Sequence, residues 1–304
     1  MFNPAVALVI GESLIDIVPS AIGPVDYPGG SPMNVAIGLS RLGHRVTLAT
    51  WIGKDERGSL IESHIAKSGV QMLPGSDAAG HTSSAEVRFD KGGTAHYVFD
   101  LSWQLPPIPV DLDPLVVHIG SIAATLAPGG ADALAYVRAN PSRATVTYDP
   151  NIRPQIIGPA DDVRECIEAY VDAADVVKVS DEDISWLYPD VDPLAATRAW
   201  LTRGCSLIVL TRGAQGVIAI TAGGREYEAP APSGPVADTV GAGDSFMAML
   251  VHGLWENQML GAPGGEALSQ MTQGELEALI TLASRGAGVT VSRPGANPPW
   301  LCEI

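Results

Sequence analysis

Residues 34–53 read NVAIGLSRLGHRVTLATWIG, an amphipathic helical segment followed directly by an apolar, β-branched run. A comparable apolar run, AVALVIG, occupies residues 5–11, and LVVHIGS, ATVTYDP, DVVKVS and SLIVLTRG come later, each with a helix-like segment nearby. Continuous apolar runs that alternate with amphipathic segments are typical of a parallel sheet with helices on both faces. The sequence therefore predicts an α/β fold with a parallel-sheet core.

Two stretches depart from this alternation. Residues 12–28 alternate in the manner of a strand and end in prolines, and residues 81–101 look like a hairpin around the Lys91-Gly92-Gly93 turn. Because neither pattern suits a crossover helix, we expect the two stretches to form one small β-sheet over an edge of the main sheet. Residues 257–274 are interpreted as a surface loop between the last two helices.

Composition limits the classes of function. The chain has 304 residues, 46% of them hydrophobic, and a mean hydropathy of +0.17, so it can bury a substantial core. No apolar run approaches the ~20 residues that a membrane span needs. The net charge of −16 argues against nucleic acid or an anionic membrane as a partner, because both are bound through basic surfaces.

The first residues and the cysteines bear on location. The stretch MFNPAVALVIGE lacks a basic n-region and a small-residue cleavage site, so we expect a buried strand there rather than a signal peptide. Cys166, Cys205 and Cys302 lie far apart and do not have metal-ligand spacing. They are expected to be buried, reduced thiols in a cytoplasmic protein.

Residues 238–246, DTVGAGDSF, carry an aspartate on each side of a glycine-rich turn. The residues that follow, FMAMLVHGLW, are apolar around most of a helix, which predicts a buried helix that begins at this turn. Gly241, Ala242 and Gly243 would then present unpaired backbone N–H groups, and the helix dipole would favour an anion such as a phosphoryl group. Asp244 is placed either to take the proton of a neighbouring hydroxyl or to cap the helix.

Residues 29–43, GGSPMNVAIGLSRLG, also contain glycines before a helix. Asn34, in the first helical turn, can both donate and accept hydrogen bonds, which suits neighbouring sugar hydroxyls. The alternative is an Asn that caps the helix after a glycine turn. The chain contains neither the G-x-x-x-x-G-K-[ST] P-loop nor the dinucleotide G-x-G-x-x-G pattern, so two common nucleotide-binding motifs are absent.

Together, the two glycine-rich stretches resemble the two signatures of the ribokinase-like (PfkB) sugar kinase family. The segments GESLIDIV, DPNIRP, KVSDED, TRGAQG and VSRPGAN occur in the order found in that family, so the resemblance covers essentially the whole chain. The GESLIDIVP start and the Trp103-Gln104 pair are most similar to bacterial fructokinases. The resemblance implies one Rossmann-like α/β domain, residues 1–304, with a β-sheet lid at about residues 12–28 and 81–101.

The resemblance also implies an enzyme that transfers the γ-phosphoryl group of ATP to a hydroxymethyl hydroxyl of a neutral sugar, with fructose favoured. In this interpretation Asp244 is the catalytic base. The anion hole is formed by Gly241, Ala242 and Gly243. The sugar-binding residues are Asp16, Gly30, Asn34, Phe99 and Arg153. The nucleotide-binding residues are Thr211, Gly213 and Gly216, with Ser284 and Gly288 before a final strand.

Metal ions and a second subunit are further implications. The family holds Mg²⁺ through water and an acidic segment, here KVSDED, in which Glu182 is the assigned residue. Many relatives bind K⁺ with a carboxylate and backbone carbonyls near the anion hole. The matching residues are Asp238, Val240, Thr290, Arg293 and Gly295, although the following NPPW departs from the pattern. In relatives the lid often pairs with that of a second subunit, which leaves a homodimer open here.

Other substrates of the family remain as alternatives, namely ribose, 2-keto-3-deoxygluconate or a nucleoside. In relatives that phosphorylate acid sugars the second lid strand resembles YYR, whereas here it reads AHYVFDL, and no Lys or Arg lies between residues 91 and 138. Phe99 and Asp100 stand where those relatives have an arginine that meets the substrate carboxylate, so a neutral sugar is predicted. Arg88, on the first arm of the hairpin, would contradict this prediction if its side chain reached a substrate carboxylate. A relative that binds sugar without phosphorylating it is a further alternative.

Overall fold

The computed structural model describes residues 6–20, 23–89, 95–139, 144–262 and 264–304. Within them, nine strands form one large sheet. Numbered in chain order and given from one edge to the other, these strands are β13 (Glu226–Ala229), β12 (Val217–Thr221), β11 (Leu207–Thr211), β10 (Val176–Ser180), β9 (Thr145–Asp149), β8 (Val116–Gly120), β1 (Val6–Ile10), β4 (Arg45–Ala49) and β5 (Gln71–Met72).

The large sheet is parallel over most of its width. The seven strands from β11 to β5 pair in parallel, which confirms the predicted parallel core. Strands β12 and β13 run antiparallel at one edge. Only residues 212–216 join β11 to β12, and a connection this short cannot cross over the sheet to a parallel neighbour. The sequence pattern did not reveal the reversal, because β12 is as fully buried as the parallel strands.

Helices cover both faces of this sheet. They are α1 (Ser31–Arg41), α2 (Glu56–Ala66), α3 (Gly129–Ala139), α4 (Pro154–Ile157), α5 (Ala160–Val171), α6 (Asp181–Leu187), α7 (Pro193–Leu201), α8 (Ala242–Glu256), α9 (Gly264–Ser269) and α10 (Gln273–Val291). In β1, Ala7 and Val9 pack in a core with α1, α8 and α10, whereas Leu8 and Ile10 pack in a second core with α3, α5 and α7. Helix α8 is buried over most of its length, as FMAMLVHGLW predicted.

A second, four-stranded sheet is built from the two stretches that break the α/β alternation. In sheet order its strands are β3 (Gly23–Gly29), β2 (Leu14–Ser20), β6 (Ser84–Phe89) and β7 (Ala95–Asp100). Strands β2 and β6 pair in parallel, and the two outer pairs are antiparallel. The second small sheet is therefore as predicted, while the Lys91-Gly92-Gly93 turn lies outside the described residues.

One face of the second sheet turns towards the residues that follow β8. Asp16, Ala85 and Phe99 lie opposite one another in the strand register, so their side chains project from the same face. On this face Leu14, Ala85 and Phe99 pack with Ile122, which follows the end of β8. The second sheet is thus anchored at the carboxyl end of a central parallel strand, where α/β proteins bind their ligands.

Two interpretations of the C-terminal region are wrong. Residues 257–274 are more than a surface loop, because they contain α9 and bury Met259 and Leu268 in the core. Ser284 and Gly288 do not precede a final strand but lie within α10, and the described residues after it form turns and a short 3₁₀ segment. Helix α10 continues to Val291 and packs against α8.

One of the three cysteines is buried as expected. Cys205 is buried and Cys166 is half-buried, but Cys302 is exposed. All three are free thiols. Across the described ranges, no helix has the length and apolar character needed to span a membrane.

Candidate active site

Asp244 is buried in the first turn of α8, with 8% of its surface exposed. Two side chains of α1 hold its carboxylate: Ser31 Oγ donates to Oδ1 at 2.6 Å, and Asn34 Nδ2 donates to Oδ2 at 2.8 Å. Gly241 is the residue that caps α8, and none of the described side chains caps this end of the helix. Asp244 and Asn34 are therefore not simple helix caps, and the two signature stretches meet at one carboxylate.

The surroundings of Asp244 favour its protonated form. Burial raises the pKa of the Asp244 carboxyl above its usual range, and the negative charge of Asp149 acts in the same direction. The hydrogen bonds from Ser31 and Asn34 and the positive charge of Lys178 oppose this rise in pKa. A carboxylate with a raised pKa is a stronger base than an exposed one. Asp244 is therefore suited to accept a proton from a bound hydroxyl.

The glycine turn before α8 is shaped by close contacts. Gly241 has a φ of 74°, in the left-handed region that favours glycine, and a Cβ there would lie 2.6 Å from the Cβ of Ala296. A Cβ on Gly243 would lie 3.0 Å from the Nζ of Lys178. The half-buried turn therefore presents the N-terminal backbone of α8 with an ammonium group beside it.

Lys178 was not predicted as a site residue. It lies on β10, and its Nζ is 2.5 Å from Oδ2 of Asp149 at the end of the neighbouring strand β9. The two side chains are 6% and 1% exposed, so the ion pair is shielded from water. The second carboxylate oxygen of Asp149, Oδ1, is buried and has no hydrogen-bond partner among the described residues. Adjacent parallel strands thus bring a buried cation and a partly unsatisfied carboxylate to the glycine turn.

The acidic segment after β10 contains one buried carboxylate, and it is not the assigned one. Glu182 is exposed, whereas Asp183 is buried in the first turn of α6 and accepts a hydrogen bond from the backbone N–H of Ile152 at 2.9 Å. Burial raises the pKa of the Asp183 carboxyl, and the charge of Asp149 raises it further. The side chains of successive helical residues point about 100° apart, so Glu182 can face solvent while Asp183 faces the protein interior. Asp183 is therefore the acid associated with the Lys178–Asp149 pair.

Glu12 is a second buried acid that was not predicted. Its Oε2 accepts a hydrogen bond from the backbone N–H of Ala123 at 3.2 Å, and its side chain also bonds to Ser121. Burial raises the pKa of Glu12 to about 7, and the charge of Asp244 contributes to the rise. The available sequence signal was an acidic residue directly after the glycine that ends the first strand in GESLIDIV. That pattern alone does not distinguish a buried acid from a surface acid.

The two glycines of GGSPMN, Gly29 and Gly30, each lie against an oxygen atom of residues 12–16. The Asp16 carboxylate occupies the space that a Cβ on Gly29 would need. A Cβ on Gly30, whose φ is 123°, would lie 2.5 Å from the backbone oxygen of Glu12. Asp16 remains open to solvent; partial burial raises the pKa of its carboxyl, and the charge of Arg153 lowers it. Asp16 and Arg153 are thus brought into the same neighbourhood.

The second sheet separates its residues between two faces. Phe99 is half-buried on the face of Asp16, with its ring 5.8 Å from that of Tyr97. Asp100 is the next residue of β7, projects from the opposite face and pairs with His81 at 2.9 Å. Arg88 also lies on that opposite face, where it pairs with Glu86. Asp100 therefore lies on the face opposite Asp16 and Phe99, and Arg88 does not reach across to the face of Asp16.

Comparison with known proteins agrees with this arrangement. Residues 7–301 match the family described as pfkB family carbohydrate kinase. The chain belongs to this family of carbohydrate kinases. A fructokinase from Rhizobium leguminosarum bv. trifolii is 32% identical to it over 83% of this chain and 81% of its own length.

Solved structures share the fold of this kinase. Fructokinase from Xylella fastidiosa with bound ATP has a TM-score of 0.80 and 23% identity, over 96% of this chain and 93% of that one. A fructokinase double mutant from Vibrio cholerae O395, in a form with bound fructose, ADP and potassium ion, has a TM-score of 0.77 and 22% identity, over 96% and 94% of the two chains. The expected Rossmann-like α/β architecture with a second small sheet is confirmed.

The residues assigned to the nucleotide in this kinase fall into two groups. Thr211 ends β11, and Gly213 and Gly216, with φ of 50° and 88°, flank the turn into β12. Thr211 Oγ1 donates to the backbone oxygen of Val179, which ties this turn to β10. Ser284 and Gly288 lie apart from the turn on α10, where a Cβ on Gly288 would be 2.9 Å from Pro232. Both groups were predicted from the sequence. The sequence did not show that Pro232, which follows β13, is the neighbour of Gly288.

Asp238, one of the residues assigned to K⁺, is held by two backbone N–H groups. Its Oδ1 accepts from the backbone N–H of Val240 at 3.0 Å, and its Oδ2 accepts from Gly295 N–H at 2.8 Å; these bonds lower its pKa. The Arg293 guanidinium pairs with Glu303, whereas the role predicted for Arg293 at K⁺ belongs to its backbone carbonyl. Thr290 is buried, with its Oγ1 2.7 Å from Ser245 Oγ. Asp238 therefore joins the loop before Gly241 to the loop after α10.

Proposed function

We propose that this protein transfers the γ-phosphoryl group of ATP to a hydroxymethyl hydroxyl of a neutral sugar, with fructose preferred. The observation that carries the proposal is the Asp244 carboxylate, buried, hydrogen-bonded by Ser31 and Asn34, and next to a glycine turn with a cation beside it. Phosphoryl transfer requires a positioned acceptor and stabilisation of charge on the transferred group. The proposal includes a cytoplasmic location, where ATP is available.

Asp244 acts as the general base in this proposal. The acceptor hydroxyl of the sugar donates a hydrogen bond to the Asp244 carboxylate and loses its proton to it as the new O–P bond forms. The bond from the γ-phosphorus to the bridging oxygen of ATP breaks in the same step, and ADP leaves. Ser31 and Asn34 hold both carboxylate oxygens, so the orientation of the base is set before the sugar binds. Little reorganisation is then needed at the moment of transfer.

The charge of the transferred group is met by the N-terminus of α8 and by Lys178. The phosphoryl oxygens accept hydrogen bonds from the backbone N–H groups of Gly241, Ala242 and Gly243, where the helix dipole also favours negative charge. The Ala242 N–H donates to the Thr239 carbonyl at 3.3 Å in this structure and exchanges that partner for the phosphoryl group. Lys178 adds a full positive charge beside Gly243. Its pairing with Asp149 holds the ammonium in place in a region of low dielectric, where such a charge is most effective.

Two carboxylates fit a magnesium ion. Asp149 Oδ1 is a buried oxygen without a partner among the described residues, and Asp183 lies where the charge of Asp149 raises its pKa. Oxygen donors of this kind, acting directly or through water, are the ligands that Mg²⁺ prefers. We assign these two residues, in place of Glu182, to the ion that neutralises adjacent phosphate charges. K⁺ is assigned to the loops joined by Asp238, in line with the potassium-bound Vibrio neighbour.

The preference for a neutral sugar rests on the face of the second sheet that carries Asp16. Asp16 and Asn34 can accept hydrogen bonds from sugar hydroxyls, and Phe99 offers an apolar surface to the sugar ring. A carboxylate placed ~4 Å from Asp16 would be repelled by roughly 1 kcal/mol even in water. Arg153 is the cation whose charge acts on Asp16, so it is the residue that would have to pair with the carboxylate of an acid sugar. Fructose is favoured because the curated relative is named a fructokinase.

The second sheet is proposed to be a lid. Closure over the sugar excludes water and suppresses hydrolysis of ATP. On the face that carries Asp16, Val18, Tyr27 and Tyr97 are large side chains left 41%, 52% and 58% exposed. We propose that this part of the face contacts the lid of a second copy, which light scattering of the purified protein tests. A monomer at micromolar concentration would contradict the dimer and leave the lid proposal intact.

A coupled assay of ADP release with purified protein tests the function. Fructose, ribose, 2-keto-3-deoxygluconate and adenosine are compared as acceptors, with Asp244→Ala as the inactive control. The expected result is the highest kcat/KM with fructose. A higher kcat/KM for the acid than for both neutral sugars would overturn the substrate assignment. Binding of sugar and ATP without ADP release from any acceptor would instead support the non-catalytic alternative.

A further inference from the structure

A cluster of ligand-type side chains lies away from the phosphoryl site, where α1 and α8 end. His44 is in the turn between α1 and β4, and His252 and Glu256 lie one turn apart on α8. His44 Nε2 is 2.8 Å from His252 Nδ1, and one ligand atom from each of the three residues lies within 4.8 Å of the others. We propose that this cluster binds a divalent transition-metal ion of the zinc class.

The geometry needs little adjustment to hold such an ion. Two imidazole nitrogens on one tetrahedral zinc are about 3.3 Å apart, as bonds of ~2.0–2.1 Å require. The 2.8 Å between the rings of His44 and His252 is a hydrogen bond, so the nitrogens must separate by only about 0.5 Å. Glu256 follows His252 by four positions, a spacing that puts two ligands on one face of a helix. Two imidazoles and a carboxylate leave a fourth position for water.

Both rings can act as ligands after one change of tautomer. One of the two nitrogens that face each other, His44 Nε2 or His252 Nδ1, carries the proton of the 2.8 Å hydrogen bond. That proton must move to the other nitrogen of the same ring before both facing lone pairs can bind an ion. Zinc is favoured over magnesium because imidazole nitrogen is a poor ligand for magnesium.

The position of the cluster gives the ion a structural role. Helices α1 and α8 meet at three levels, through Asn34 with Asp244, Gly38 with Ala248, and His44 with His252. A Cβ on Gly38 would lie 2.6 Å from the Cβ of Ala248, so the helices are in close contact between the two ends. About 12 Å of helix separates Asp244 from His252. The ion is thus distinct from the one that accompanies ATP. It would link the C-terminal ends of α1 and α8, whereas Asp244 lies at the N-terminal end of α8.

Direct binding to the full chain tests the proposal. Protein freed of metal with a chelator is titrated with Zn²⁺ alone, without nucleotide, and binding is followed by calorimetry. We expect one ion per chain with a Kd of about 1 µM or tighter. A saturating excess of Zn²⁺ should raise the Tm by several degrees, because the ion binds only the folded chain. Co²⁺ in place of Zn²⁺ should produce a visible absorption band of a tetrahedral site.

Matched variants locate the binding. Glu256→Gln changes an exposed side chain and should weaken Zn²⁺ binding at least tenfold while the protein remains folded. His44→Gln should abolish the visible Co²⁺ band. Glu62→Gln, an exposed position on α2, is the control and should bind as the unaltered chain does. No stoichiometric binding, or equal affinity in the unaltered chain and in Glu256→Gln, would overturn the proposal.

Discussion

Asp244 on α8 and Asp16 on β2 are both assigned to the sugar, but their surroundings are opposite. Asp244 is buried and has both carboxylate oxygens hydrogen-bonded by α1, whereas Asp16 is open to solvent on the second sheet. The large sheet and its helices thus hold the residues proposed for phosphoryl transfer in fixed positions. In the proposed mechanism the second sheet presents recognition residues, and the sugar completes their contacts. Substitutions in the first region should therefore lower kcat, and those in the second should mainly raise KM.

The largest effect is expected at the base. Asp244→Ala should lower kcat by ~10²–10⁴, the range for loss of a general base. Steady-state kinetics with the preferred sugar measures the loss. Circular dichroism and calorimetric titration with sugar serve as controls, because folding and sugar binding should be largely retained. Near-normal turnover would remove Asp244 from the chemistry.

Lys178 tests whether the buried ion pair serves catalysis as well as folding. Lys178→Met should lower kcat by ~10²–10³, as the loss of a preorganised charge does. It should also lower the free energy of unfolding by ~3–5 kcal/mol, because Asp149 is left as an unpaired buried charge. Urea unfolding and kinetics are measured on the same preparations.

A double variant separates the two roles of Lys178. Lys178→Met with Asp149→Asn removes both buried charges and should recover most of the stability, without recovering kcat. If turnover returned together with stability, Lys178 would be a structural residue only. Asp149→Asn alone shows how much of the loss in kcat belongs to the carboxylate.

Glu12 should make stability depend on pH. Its pKa rises from 4.5 to about 7 in the folded protein, so between these values the folded state binds the proton more strongly than the unfolded chain. The contribution of Glu12 to stability is therefore greatest at acid pH and falls as pH rises through this window. Glu12→Gln should increase the free energy of unfolding at pH 8 by about 3 kcal/mol and have little effect near pH 4.5. Urea unfolding at both pH values checks this; an equal effect at both would contradict it.

Asp16→Asn should have a smaller effect and a different kinetic signature. Loss of a charged hydrogen-bond acceptor costs ~1.5–3 kcal/mol, so KM for the sugar should rise about tenfold or more with little change in kcat. Arg88→Ala is the matched control from the opposite face of the same sheet. It should change kcat/KM by less than about twofold, because an exposed ion pair contributes little. A large fall in kcat for Asp16→Asn would erase the distinction between the two regions.

Much of the site was predictable because its signals are local. Apolar runs and amphipathic segments alternate with periods that belong to strands and helices, and they predicted the parallel core. Glycine before a buried helix predicted the turn at Gly241, whose φ of 74° requires that residue type. The antiparallel edge and the helical position of Ser284 were not predictable, because each depends on which neighbour a segment packs against. The opposite facing of Phe99 and Asp100, by contrast, follows from the alternation of consecutive strand residues.

The sequence by itself determined the fold class, the second sheet and the two glycine-rich stretches, because backbone conformation and hydrophobic period are properties of neighbouring residues. The tertiary structure alone decided what those stretches contact. Ser31 and Asp244 are 213 positions apart, and Lys178 and Asp149 are 29 apart, yet each pair is within hydrogen-bond distance. Such pairs form because parallel strands bring distant segments to one end of the sheet, and only burial there turns Asp244 into a stronger base and Lys178 into a fixed charge.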